Sequence, residues 1–135
     1  MSEQAETDTE ILLVEDNPGD VRLVEEALRE TASTLHVTRD GKETLNFLRR
    51  QSEFHGAPHL DTVLLDLNLP KIDGTQVLDT IRSDPALDHV RVIIVTSAQE
   101  RDVDFDREEI DEDDFITKPA DPDEFMTLVR TAVFA

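Results

Sequence analysis

ILLVEDNPGDVRLVEEAL, residues 11–28, reads as a buried strand that runs straight into a helix. Its apolar run does not alternate with polar residues, which is the pattern of a parallel strand covered on both faces. The run stops at Glu15 and Asp16; Asn17 is placed to cap a helix with Pro18 at its first position, and Val21, Val24 and Leu28 then share one helical face. Three other apolar runs end on a polar residue in the same way: VLL at Asp66, VIIV at Thr96 and FIT at Lys118.

Working outward, the five strands are expected at 10–15, 35–38, 62–67, 90–95 and 114–117. Asp40 with Glu43 three residues on forms a capping box for a second helix, whose Leu45 and Leu48 face the sheet. Asp73 and Gly74 turn into a third helix carrying Val77, Leu78 and Ile81 on one side. A fourth helix, short or frayed, falls within 98–114, anchored by Val103, Phe105 and Ile110 alone. Asp121, Pro122 and Glu124 open a fifth helix that buries Phe125, Leu128 and Val129. Strands and helices in alternation predict an α/β, doubly wound, five-stranded parallel sheet with helices on both faces. Residues 1–9 are expected to be a mobile acidic tail and 10–135 one folded domain.

Open α/β sheets place their chemistry just past the carboxyl ends of the strands, so Glu15, Asp16, Asp66, Thr96 and Lys118 should converge. Carboxylates this close would repel unless a cation joined them. Mg²⁺, with Mn²⁺ as an alternative, suits such a set, because it takes oxygen ligands and is commonly held by one or two carboxylates plus a phosphate. Asp16 and Asp66 supply that pair, with Glu15 adding charge directly or through a water. Asp66 is then the nucleophile, since a carboxylate attacking phosphorus forms an acyl phosphate. Lys118 and Thr96 would bind phosphoryl oxygens. A cis bond between Lys118 and Pro119 is expected to aim the ammonium inward.

Composition narrows the function classes. Of 135 residues, 32 are Asp or Glu and 13 Lys or Arg, a formal charge of −19, which opposes direct binding to nucleic acid. The acids are spread along the chain and Lys is scarce beside Arg, a pattern like that of halophilic proteins. No apolar run approaches the ~18 residues of a membrane span, and the polar, acidic start is unlike a signal peptide. The expectation is a cytoplasmic protein without membrane insertion. With no cysteine, disulfides and thiol ligands drop out. His55 and His59 are four apart, but Gly56 and Pro58 break any helix between them. His36 and His89 are given no function either.

These motifs closely resemble the receiver domain of two-component response regulators, over residues 10–134. The wording of EDNPGD and LDLNLPKIDG is most similar to small stand-alone receivers, including those paired with phytochrome-like kinases. The resemblance implies a flavodoxin-like sheet of order 2-1-3-4-5 with five helices. It makes Glu15 and Asp16 the metal-binding pair and Asp66 the phosphoacceptor. Asn68 would lend a backbone carbonyl to the ion; Pro70, Asp73 and Gly74 fall at the family's offsets, and Thr96 and Lys118-Pro119 complete the set.

The function implied is Mg²⁺-dependent transfer from a histidine kinase or phosphotransfer protein onto Asp66, with self-catalysed dephosphorylation. The signal would leave through the face of the fourth helix, fifth strand and fifth helix toward a downstream protein, the chain being a monomer or weak dimer. Family members often carry Tyr or His where Phe115 stands, so a switch here must work by packing. The glycine that often precedes that strand is also missing. Residues 99–114 hold ten acids against Arg101 and Arg107, which favours a partner with basic side chains.

Two other readings compete. A haloacid-dehalogenase-like phosphatase would use a DxD pattern, but its second carboxylate is here Asn68. A receiver-like interaction module that is never phosphorylated would typically lack a cleft residue, and none is missing.

Overall fold

The structure, a computed structural model, describes residues 9–53, 60–66, 74–87, 89–96 and 115–134. Its elements in chain order are β1 (Thr9–Val14), α1 (Pro18–Leu28), β2 (Ser33–Thr38), α2 (Gly41–Glu53), β3 (Thr62–Asp66), α3 (Gly74–Ser83), a single 3-10 turn (Pro85–Leu87), β4 (Arg91–Thr96), β5 (Phe115–Thr117) and α4 (Pro122–Phe134). The sheet is parallel throughout, with order β2-β1-β3-β4-β5. Four α-helices are seen among the described residues where five were expected, because the expected fourth, within 98–114, lies outside them. The helix named α4 is therefore the expected fifth.

Successive strand residues point to opposite faces, and here both faces are covered. Leu12, Val14, Val63, Leu65, Val92 and Ile94 pack with Leu48 of α2 and with Val77 and Ile81 of α3. Ile11, Leu13, Leu64, Ile93, Val95 and Ile116 pack on the other side with Val21, Val24 and Ala27 of α1 and with Phe125, Val129 and Val133 of α4. This two-sided burial is the physical reason the strand sequences read as unbroken apolar runs.

The helix starts follow their caps. Asn17 Oδ1 accepts from the backbone N–H of Gly19 at 2.8 Å and of Asp20 at 3.3 Å, satisfying donors that a helix N-terminus leaves unpaired. Asp40 Oδ1 accepts from Glu43 N at 2.8 Å, while Glu43 reaches back to Arg39 N at 2.7 Å rather than to Asp40 itself. Asp121 Oδ1 accepts from Asp123 N at 2.9 Å. Two expectations fail. Leu128 is exposed, and Val133 takes its place in the core; Phe125, Val129 and Val133 follow a strict four-residue spacing that leaves Leu128 at the edge of the buried stripe. No described peptide bond is cis, so Lys118-Pro119 is trans, and Lys118 gets its direction from elsewhere.

The chain's winding reverses between β1 and β3, which places a crevice beyond their carboxyl ends. Register completes the arrangement. Val14 pairs with Leu65, so Glu15 and Asp66 come next side by side. Asp66 pairs with Val95, and Thr96 with Thr117, the residue before Lys118.

Candidate functional site

Glu15 and Asp66 are both 3% exposed at the end of the central strands. Between them sits the ammonium of Lys118, whose Nζ donates to Asp66 Oδ2 at 2.7 Å, to Asp20 Oδ2 at 2.7 Å and to Glu15 Oε1 at 3.3 Å. Glu15 Oε2 also accepts from Asn17 N at 3.2 Å. Each position has a local cause: Glu15 and Asp66 by strand register, Lys118 by leaving β5, and Asp20 by the capped first turn of α1.

Charge is crowded here. Burial pushes the Glu15 carboxyl up to about 8, helped by its hydrogen bond with Asp66 and by that group's charge, while Lys118 and the Asn17 N–H pull the other way. For Lys118, burial works against the charged form, yet hydrogen bonds to Asp20 and Asp66 and the charges of Asp66 and Glu15 outweigh it, and its acidity falls below that of an ordinary lysine.

Oxygens of Glu15, Asp20 and Asp66 all lie within 4.8 Å of one another. Hard oxygen donors in such a group, gathered around a positive charge, fit a divalent cation. Asp16, next in the chain after the inward-turned Glu15, is exposed, and the carboxylates that group among the described residues are Glu15, Asp20 and Asp66. Thr96 ends β4 on the same edge of the sheet. Asn68, Pro70 and Asp73 lie outside the described residues.

Asp20 is the site residue that sequence reasoning missed. Its signal was present: an acid three residues after the capping Asn17 sits in the first helical turn, beside the strand ends. The two described histidines take structural contacts, His36 Nε2 with Glu10 Oε1 at 2.8 Å and His89 Nε2 with the Leu60 carbonyl at 3.1 Å; His55 and His59 lie outside the described residues. A groove of about 450 Å³ between α2 and α3, lined by Leu45, Leu48, Arg49 and Leu87, is a separate feature.

Residues 11–130 match the family model of the response regulator receiver domain. The chain belongs to that family. It is 39% identical over 104 residues to response regulator Rcp1 of Synechocystis sp., covering 76% of this chain and 71% of Rcp1. It is 38% identical over 101 residues to the probable methanogenesis regulatory protein FilR2 of Methanothrix harundinacea, covering 73% of this chain and 64% of that one.

Among solved structures, the phosphorylated cyanobacterial phytochrome response regulator RcpA superposes with a TM-score of 0.74 at 35% identity, over 93% of this chain and 91% of that one. The Mn²⁺-bound form of Rcp1 gives 0.69 at 32% identity, over 91% and 90%. As a receiver, the chain is a component of two-component signalling, a setting that implies exchange with histidine kinases and downstream targets. No described helix is long and apolar enough to cross a membrane.

Proposed function

We propose that the chain takes a phosphoryl group from the phosphohistidine of a histidine kinase, or of a phosphotransfer protein, onto Asp66. The carrying observation is the buried Asp66 carboxylate with the Lys118 ammonium 2.7 Å from its Oδ2. In the step, an Asp66 oxygen attacks phosphorus as the P–N bond breaks, and the bond's electron pair returns to the imidazole nitrogen. Lys118 neutralises one phosphoryl oxygen, and Thr96 donates its hydroxyl to another.

Glu15, Asp16, Asp66 and the backbone carbonyl of Asn68 would hold Mg²⁺, or Mn²⁺ in its place. When bound, that ion offsets the charge of phosphoryl and carboxylate oxygens that would otherwise repel. The Mn²⁺-bound form of Rcp1 and the phosphorylated RcpA support this reading, as relatives over more than nine-tenths of the chain.

Output runs through the segment 98–114, β5 and α4 to a partner with basic side chains, with Phe115 acting by packing. The chain catalyses its own dephosphorylation and works in the cytoplasm of a salt-adapted cell, as its charge of −19 suggests. The test is labelled phosphate from a kinase: Asp66→Asn loses all incorporation while keeping the fold, and undiminished labelling of that variant would place the acceptor elsewhere.

A further inference from the structure

Lysine's ammonium has three N–H donors and no acceptor, and Lys118 spends them on three carboxylates: Asp66 and Asp20 at 2.7 Å each and Glu15 at 3.3 Å. Two of those acceptors, Asp66 and Glu15, are the buried pair at the strand ends. Asp20 differs in origin. It comes from the first turn of α1, and its side chain is 27% exposed against 4% for each of the others.

A divalent ion bound to Asp66 and Glu15 takes the electron density that the ammonium now uses and repels it at short range. Asp20 is the acceptor left over. We infer that Asp20 is a positioning residue that gives Lys118 an anionic partner when a divalent ion occupies Asp66 and Glu15, so that the ammonium yields those oxygens without leaving the cleft. This rests on the phosphoacceptor reading above and adds to it a reason for a third carboxylate.

The rival is that Asp20 simply adds ligand charge. The two separate in a double-mutant cycle, because a residue acting through Lys118 loses its effect once Lys118 is gone. Mg²⁺ affinity of the full chain, measured by calorimetry, is the readout. Asp20→Asn is close in shape at a partly exposed position, so the variant should fold, and thermal unfolding checks this. The inference expects Asp20→Asn to weaken Mg²⁺ binding about tenfold when Lys118 is present and less than about twofold in a Lys118→Ala background.

Lys118→Ala alone should tighten Mg²⁺ binding, since the competing cation is removed. An equal or larger loss from Asp20→Asn in the Lys118→Ala background would overturn the inference, as would no loss in either. Those results would leave the phosphoacceptor reading standing if the parent protein still binds Mg²⁺. A parent protein that binds none would overturn both.

Discussion

Lys118 Nζ lies 2.7 Å from Asp66 Oδ2 across 52 residues of sequence, and that contact joins the edge strand β5 to the central strand β3. Replacing Lys118 by Ala removes the fixed positive charge on which the transferred phosphoryl group would settle. Loss of one such preorganised partner typically costs roughly 100-fold to 1,000-fold in rate. Lys118→Ala should slow phosphoryl transfer to Asp66 by about that factor, read by rapid-quench labelling, with Mg²⁺ still bound. Transfer at the parent rate would remove Lys118 from the reaction.

Glu15 gives the site a pH dependence whose sign can be worked out. Its carboxyl titrates at about 8 in the folded chain against 4.5 ordinarily, so between those values the folded state keeps a proton that the unfolded state has lost. Stability then falls as pH rises through this window. In urea titrations without divalent ions, the parent chain should be less stable at pH 8 than at pH 6. Glu15→Gln, which mimics the protonated form, should flatten that slope and leave the ion-free protein more stable than the parent at pH 8. A slope unchanged by Glu15→Gln would assign the dependence to another group.

The core makes a contrast that needs no ligand. Leu64 is fully buried between the sheet and the α1/α4 layer, whereas Leu128 of α4 is 37% exposed. Leu64→Ala should cost about 2–5 kcal/mol, and Leu128→Ala should stay within about 0.5 kcal/mol of the parent. Urea unfolding midpoints decide it. A large loss from Leu128→Ala would mean that the residue is covered in solution.

That contrast also shows where sequence reading succeeds. Two-sided burial leaves an unmistakable trace, so strands running up to Glu15, Asp66, Thr96 and Lys118 were legible from ILLV, VLL, VIIV and FIT, and the sheet order implied by the family resemblance matched. Caps at Asn17, Asp40 and Asp121 were legible because each is a local hydrogen bond. Leu128 was misplaced because an apolar residue three positions from Phe125 fits a helical stripe as well as Val129 does, and only packing against the neighbouring layer chooses. Asp20 was missed for a different reason. Its role depends on the distance to Lys118, 98 residues away, and no local pattern carries that distance.

Charge at the surface yields the last prediction. Glu25, Glu26 and Glu30 lie exposed on or just after α1, where Arg29 pairs with Glu26 at 3.2 Å, within a chain whose formal charge is −19. Like charges of this density destabilise a compact state by self-repulsion. Salt shortens their reach, from a Debye length of about 10 Å at 0.1 M to about 3 Å at 1 M. The buried group around Lys118 is screened far less, so the gain at the surface should dominate. The melting midpoint should therefore rise by about 5 °C or more between 0.1 and 1 M salt, and to the same extent in NaCl and KCl. A midpoint that stays level or falls would show that attraction within the described ion pairs outweighs repulsion among the exposed acids.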